Sequence, residues 1–202
     1  MTFIKKYINP HLEGPGGVSE VLRLSFPVMV SQGATSLMMF TDRYLLSTLG
    51  TEYPSASMLA GFYMLVGQMF FIGLLGYVTP LVAQYKGSGQ HSPCLRVLGQ
   101  GLWAALVVSP LVIVLTTFFA PYYFEWAHIP QSELSLTLEY FHVLVGSTLC
   151  TLINCVLSGY YNGLGITKVV MWVNCIGLLF NIPCSYFLIY QGFYPEWAGV
   201  SG

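Results

Sequence analysis

Residues 53–85 read YPSASMLAGFYMLVGQMFFIGLLGYVTPLVAQY, which is 33 consecutive residues without an Asp, Glu, Lys or Arg. About 20 apolar residues are enough for a helix to cross a bilayer. Four more charge-free runs occupy residues 24–41, 97–124, 140–167 and 169–195. None of them alternates apolar and polar residues over about ten positions, as the strands of a membrane barrel do. The sequence therefore predicts an all-α protein, a polytopic transmembrane bundle of about five helices.

The composition excludes an ordinary soluble domain. Only 7% of the 202 residues are charged and 55% are apolar, whereas soluble domains carry about 25% charged residues. The net charge of −1 does not indicate a class of partner, but the sequence has no basic run of the kind that binds nucleic acid, so no nucleic-acid partner is expected. A polar segment of about 18 residues precedes the first apolar run, and no small-residue cleavage site of a signal peptide follows it. We therefore expect most of the chain to be surrounded by membrane lipid.

Clusters of glycine and proline divide the chain into five predicted spans, near residues 20–48, 55–81, 97–120, 135–160 and 168–191. Residues 1–18 precede the spans, and residues 19–202 form the membrane lobe. Basic residues favour the cytoplasmic side of a membrane. With the N-terminus in the cytoplasm, six of the seven lie inside: Lys5, Lys6, Arg23, Lys86, Arg96 and Lys168. We therefore expect an integral protein of the plasma (inner) membrane with a cytoplasmic N-terminal segment.

A polar stripe crosses the first predicted span. Ser25, Gln32, Thr35 and Asp42 are spaced by 7, 3 and 7 residues, which places them on one helical face. A carboxylate inside a membrane costs about 2.5–3.5 kcal/mol on insertion scales unless it meets a partner or a wet cavity. Asp42 is then either a structural carboxyl, protonated or hydrogen-bonded to a neighbouring helix, or a site that binds a cation or carries a proton.

A second stripe on the fifth predicted span consists of Asn174, Gly177, Asn181 and Ser185, spaced by 3, 4 and 4 residues. Asparagine within a membrane often only joins helices, so this stripe alone indicates either helix packing or a cavity wall. Together with Asp42 it supplies a carboxylate and neutral oxygen atoms, which suit a hard monovalent cation. We expect Asp42 to hold the ion, sodium or a proton, with Asn181 and Ser185 as neutral partners.

The other reactive residues indicate no catalytic chemistry. Glu139 and His142 lie one turn apart and could pass protons, but an interfacial position in contact with lipid headgroups is the favoured explanation. The five cysteines have no CxxC spacing, so no metal or redox cofactor is expected. No phosphate-binding loop, zinc helix or nucleophile elbow is present in the sequence. Transport against a gradient would therefore need an ion gradient, and no enzyme is predicted.

Several segments resemble one transporter family, in the family's own order. They are GGVSEVLRLSFPVMVSQ (16–32), FTDRYLLSTLG (40–50), TPLVAQYKGSG (79–89), LSGYYNGLGITKVVM (157–171) and FNIPCSYFLIYQGFYPEWAGVSG (180–202). With these segments the sequence is similar to the multidrug and toxic compound extrusion (MATE) family, in its NorM-like branch. Ser185 and Arg43 depart from the family pattern, since many relatives carry Asp or Asn at the first position.

The resemblance implies a transporter of two six-helix lobes that exports amphipathic or cationic drugs in exchange for sodium ions or protons. It implies a cavity in the first lobe around Asp42 and Asn181, which we expect Gln32, Thr35 and Asn174 to line as well. The 202 residues correspond to the first lobe without its sixth helix, so the second lobe is a missing partner. A small membrane subunit that pairs with a separate second half, or a membrane-embedded enzyme, are the alternative interpretations.

Overall fold

The computed structural model of the protein describes residues 17–190, apart from the side chains of residues 131–132 and 188–190. The N-terminal segment, residues 1–16, and residues 191–202 lie outside the described part. The described residues form six helices and no strand. The helices are α1 (Val18–Ser47), α2 (Glu52–Gly76), α3 (Val78–Gly87), α4 (His91–Trp126), α5 (Gln131–Gly163) and α6 (Thr167–Tyr190).

Three of the connections contain a glycine in the left-handed region of backbone conformation, which residues with a Cβ rarely adopt. Gly50 has φ 150°, Gly89 has φ 74° and Gly165 has φ 68°. They follow α1, α3 and α5, where the sequence also places breaks. In contrast, α2 and α3 are separated only at Tyr77, whose N–H donates to Leu74 O at 3.3 Å. The two helices together make one apolar stretch of 36 residues, Glu52–Gly87.

The helices are arranged as a four-helix group and a separate pair. Within the group, α2 packs mainly against α5, and α3 and α4 pack against each other and against α5. One apolar core surrounds Val82, Leu152 and Val156, all fully buried. A second core contains the rings of Tyr63, Phe124 and Phe141. The pair consists of α1 and α6, which pack mainly against each other and make far fewer contacts with the group.

Small residues let the backbones of the group approach closely, as in other membrane helix bundles. A Cβ added to Gly163 would lie 2.6 Å from the carbonyl oxygen of Thr79 and 2.9 Å from the Cβ of Val82. A Cβ on Gly101 would lie 2.8 Å from the Cγ1 of Val156. Glycine is therefore required where α5 crosses α3 and α4.

Four described stretches are long and apolar enough to cross a membrane: Glu52–Gly87, His91–Trp126, Glu133–Gly163 and Thr167–Phe187. The first predicted span corresponds to α1, which is 30 residues long but more polar, because it carries Gln32, Asp42 and several hydroxyl residues. Large apolar side chains cover the outside of the bundle, among them Phe70, 72% exposed. Such a surface suits lipid and not water. The prediction of an all-α membrane bundle is thus confirmed.

Candidate functional site

Two hydrogen bonds between α1 and α6 converge on Asp42, the only aspartate in the sequence. The hydroxyl of Ser185 donates a hydrogen bond to Asp42 Oδ1 at 2.8 Å, and the amide nitrogen of Asn181 donates to Asp42 Oδ2 at 3.4 Å. All three side chains are half-buried. Asn181 and Ser185 reach the same carboxylate because they are one turn apart on α6. The structure therefore brings together the carboxylate and both neutral partners that the sequence predicts.

The amide oxygen of Asn181 gives this site an unused acceptor. Asn181 Oδ1 is buried and has no hydrogen-bond partner among the described residues. A buried acceptor without a partner costs about 1–3 kcal/mol, so such atoms need an explanation. At 3.4 Å the Asn181–Asp42 hydrogen bond is also long for a charged acceptor. The amide is thus poorly satisfied on both of its atoms, directly beside a carboxylate.

A second polar contact joins the same two helices closer to their N-terminal ends. The amide nitrogen of Asn174 donates to the hydroxyl of Ser31 at 2.5 Å, and Ser31 is buried. Because Ser31 meets Asn174 and Asp42 meets Ser185, residue numbers rise together along the contact. The two helices therefore run parallel. This contact holds Asn174 on Ser31, eleven residues before Asp42 on α1.

Two predicted cavity residues are on α1 but away from this line of contacts. Gln32 and Thr35 are exposed, and the Thr35 hydroxyl donates to the carbonyl oxygen of Ser31, at 3.2 Å. The edge of α1 that meets α6 contains Ser31, Met38 and Asp42, since a Cβ on Gly177 would contact Met38 Cε. Ser31 was absent from the predicted stripe, although it lies eleven residues, about three helical turns, before Asp42, and this spacing could have suggested it.

A third polar stripe, which is not among the predicted ones, runs along α5. Ser147, Thr151, Asn154 and Ser158 are spaced by 4, 3 and 4 residues, and the first three are exposed. Ser158 donates to the side-chain oxygen of Asn154 at 3.0 Å, while Ser147 and Thr151 donate to carbonyl oxygens of their own helix. An exposed amide within a charge-free span is costly against lipid. The spacing itself was a usable signal.

The remaining candidates stay apart from the α1–α6 site. Glu139 and His142 are both exposed on α5, and His142 Nδ1 lies 2.7 Å from the carbonyl oxygen of Leu138. All five cysteines are free thiols. Within residues 17–190 no group of three or more His, Cys, Asp or Glu side chains could hold a metal ion. The oxygen atoms around Asp42 are therefore the candidate ion site in this part of the chain.

Comparison with known proteins gives one consistent result. The MatE family model matches residues 27–187, which is most of the chain. The multidrug resistance protein NorM of Vibrio cholerae is 29% identical over 184 residues, 90% of this chain and 40% of that protein. The multidrug resistance protein MdtK of Klebsiella pneumoniae is 32% identical over 183 residues, with the same coverage. MdtK of Proteus mirabilis is 30% identical over 182 residues. The chain spans about two fifths of the length of these relatives.

Proposed function

Because the chain belongs to the MatE family of transporters, we propose that it carries the coupling-ion site of a secondary active multidrug exporter. In this proposal the exporter exchanges amphipathic or cationic drugs for sodium ions or protons. The main support is the contact of Asp42 with Ser185 and Asn181, beside the unpartnered Asn181 Oδ1. The names of the relatives, multidrug resistance proteins, support the choice of drugs as substrates.

The chemistry of the three side chains favours a small monovalent cation. A carboxylate, an amide oxygen and a hydroxyl oxygen are hard ligands, which hard cations prefer over nitrogen and sulfur. A rotation of the Asn181 amide by half a turn would exchange its nitrogen for Oδ1 beside Asp42. The cation would then replace the long amide contact and give the unused oxygen a partner. One carboxylate matches one positive charge, so no uncompensated charge remains.

A proton can use the same atoms. A protonated Asp42 is a donor, and Oδ1 of a rotated Asn181 amide is the acceptor beside it. A proton and a sodium ion would therefore compete for Asp42 and exclude one another. Either ion would rearrange the contact that joins α1 to α6, and a change in that contact is the means by which ion binding could alter drug affinity.

In the proposal the drug binds along the polar faces next to this pair of helices. Gln32 and Thr35 are exposed on α1, and Asn154 is exposed in the middle of the α5 stripe. Asn174 and Asn181 contribute from α6. The helices work with a second, homologous set of helices, on the same polypeptide or on a partner, because alternating access usually needs two repeats. The N-terminus lies in the cytoplasm and the spans cross the inner membrane.

The test is Asp42→Asn in an exporter that contains both sets of helices, reconstituted in liposomes with a fluorescent cationic dye. The two side chains have nearly the same shape, so the variant should fold and bind dye. Dye release should lose its response to sodium and to pH, since the neutral amide cannot take up either ion. Glu139→Gln is the matched control, and it should keep the normal ion response. A folded Asp42→Asn exporter with normal rate and normal ion response would refute the proposal.

A further inference from the structure

Three membrane spans end around the turn that joins α5 to α6, at the opposite end of α1 from Asp42. The span formed by α2 and α3 ends at Gly87, the α5 span ends two residues before Gly165, and the α6 span begins two residues after it. A Cβ on Gly165 would lie 3.7 Å from Leu24 Cδ2 on α1 and 3.8 Å from Lys86 Nζ on α3. The helices α1, α3, α5 and α6 therefore meet at one membrane surface, in what we call the Gly165 corner.

Two exposed cationic side chains, Lys86 and Arg23, belong to this corner. Lys86 Nζ donates a hydrogen bond to the carbonyl oxygen of Leu164, which uses one of the three N–H groups of the ammonium. Arg23 lies one turn before Pro27 and eleven residues before Ala34, both buried, so it is on the side of α1 that faces other helices. Its guanidinium makes no hydrogen bond or ion pair with the side chains and backbone of residues 17–190. Both cations therefore have N–H donors to spare.

The positive charge at the Gly165 corner is not balanced. Lys168 adds a third cation in the first turn of α6, where the helix dipole favours an anion, and this turn contains no acidic residue. The sequence has no Asp or Glu in residues 53–124 or 140–195. Among the described residues, the acidic one nearest in sequence is Glu20, in the first turn of α1. Three cations thus face one carboxylate, and an added anion would lower their mutual repulsion.

Accessible apolar side chains surround the same cations. Leu24 is 38% exposed and Ile166 is 46% exposed, and both lie next to Gly165 in space or in sequence. Trp172, 61% exposed, lies one turn after Lys168 on α6, on the membrane side of it. A soluble anion would leave these side chains without a partner. The headgroup of a lipid, in contrast, is attached to acyl chains, and basic sites between membrane helices bind anionic headgroups.

We propose that the Gly165 corner binds the phosphate group of an anionic phospholipid, with the acyl chains against Leu24 and Ile166. The guanidinium of Arg23 donates two parallel hydrogen bonds to the phosphate. Lys86 donates one of the N–H groups that it does not use on Leu164, and Lys168 contacts the headgroup from the outer edge. The lipid thereby joins α1 to α3, two helices from the separate pair and the four-helix group. This site needs only a membrane around the chain, and it does not depend on the proposed ion coupling or drug export.

Two properties distinguish this site from a general attraction between basic residues and lipid. Phosphatidylcholine has the same phosphate but adds a choline cation, which the corner repels. Arg96 is also exposed and basic, but it lies on α4 between the buried residues Cys94 and Val97, so it faces away from the core of the group. A preference for anionic lipid that depends on Arg23 and not on Arg96 is therefore the signature of the site.

The experiment is native mass spectrometry of the purified chain in detergent, titrated with dioleoylphosphatidylglycerol or dioleoylphosphatidylcholine. The dissociation constant of the first bound lipid should be about tenfold lower for the anionic lipid. Arg23→Gln should weaken binding of the first anionic lipid about fivefold or more, since one basic residue near a membrane surface is worth about 1 kcal/mol. Arg96→Gln is the matched control, and it should change this constant less than twofold.

Lys86→Gln should weaken the anionic lipid as Arg23→Gln does, and Lys86→Arg should restore binding. Thermal unfolding checks each variant, and Arg23→Gln decides the question if Lys86→Gln does not fold, because Arg23 has no described polar contact to lose. Millimolar glycerol 3-phosphate should not displace the lipid, and displacement would mean a site for soluble anions instead. The proposal is also overturned if both lipids bind the unmodified chain equally, or if Arg23→Gln and Arg96→Gln weaken binding to the same extent.

Discussion

Asn181 and Asn174 lie on the same helix, two turns apart, and replacing each by leucine should have opposite consequences. Asn181 has a buried oxygen without a partner and only a long hydrogen bond to Asp42. Asn174 makes a short hydrogen bond to the buried hydroxyl of Ser31. The two variants remove the same amide from the same helix face. Asn174→Leu is therefore the matched control for Asn181→Leu.

The magnitudes follow from these contacts. A buried unsatisfied acceptor costs about 1–3 kcal/mol, and the long contact to Asp42 offsets only part of this cost. Without sodium, Asn181→Leu should therefore be as stable as the unmodified chain, or up to about 1 kcal/mol more stable. Asn174→Leu leaves the Ser31 hydroxyl without its partner, and hydrogen bonds between membrane helices are worth about 0.6–1.7 kcal/mol. This variant should lose that amount at every sodium concentration.

Sodium should reverse the order of stability. A ligand at 100 times its dissociation constant stabilises the folded state by about 2.7 kcal/mol. Loss of one oxygen ligand to a charged group is worth about 1.5 kcal/mol at a half-buried site, which weakens sodium binding about tenfold. The same sodium concentration then stabilises Asn181→Leu by only about 1.4 kcal/mol. The unmodified chain should become the more stable protein as sodium rises, and Asn174→Leu should keep the full sodium effect.

The assay is unfolding of the detergent-purified chain over a sodium titration, with choline added to keep the ionic strength constant. The choline arm also controls for screening, because choline is too large for a site formed by three adjacent oxygen-bearing side chains. Equal sodium responses of Asn181→Leu and the unmodified chain would refute the assignment of Asn181 as an ion ligand. A large loss of stability in Asn181→Leu without sodium would instead make it a structural residue like Asn174.

Two further predictions concern packing and orientation. Gly163→Ala should destabilise the chain by about 1–3 kcal/mol in thermal or denaturant unfolding, because the new Cβ would lie 2.6 Å from Thr79 O. Gly146→Ala is the control, since its Cβ meets nothing within 4 Å, and it should be neutral or slightly stabilising. Equal stability of the two variants would contradict the observed packing. For the orientation, each single variant Thr51→Cys and Ser88→Cys is made in a chain without native cysteines. A membrane-impermeant thiol reagent added outside intact cells should label Thr51→Cys and leave Ser88→Cys unmodified. The reverse labelling pattern would place the N-terminus outside.

The positions of the helices were largely predictable, because long charge-free runs indicate helices that span a bilayer. The residues at which the helices end were not predictable. Prolines that suggest breaks in soluble proteins are tolerated inside membrane helices. The third span was predicted to end near residue 120, yet α4 continues through Pro121 to Trp126. Conversely, the second span is divided at Tyr77, a residue that is no helix breaker. The physical reason is Pro80, which has no N–H to donate to the carbonyl oxygen of Gly76 and whose ring clashes with that carbonyl.

The contacts of Asp42 with Asn181 and Ser185 were predictable from the sequence, but the other contacts of the candidate site were not. A carboxylate within a membrane needs partners from a facing helix, so the stripe containing Asn181 and Ser185 was a sound choice. Whether Ser31 or Gln32 meets Asn174 depends on about 100° of helix rotation, which composition does not determine. The α5 stripe was not predicted as a functional face, because serine and threonine hydroxyls can donate hydrogen bonds to carbonyl oxygens of their own helix, as Thr151 does. Hydroxyl spacing alone therefore does not distinguish a cavity wall from a lipid-facing surface.

The number of charges at Asp42 limits what the proposed site can drive. Apart from Glu20 in the first turn of α1, Asp42 is the only acidic residue on α1 and α6, so the site balances one positive charge. Inward movement of one cation through 100 mV releases about 2.3 kcal/mol, and a hundredfold gradient of a neutral drug costs about 2.7 kcal/mol. For a drug with one positive charge, exchange against one cation moves no net charge, so the membrane potential contributes nothing. Export of such a drug through this site alone would follow the ion concentration gradient, and a tenfold ion gradient would sustain about a tenfold drug gradient.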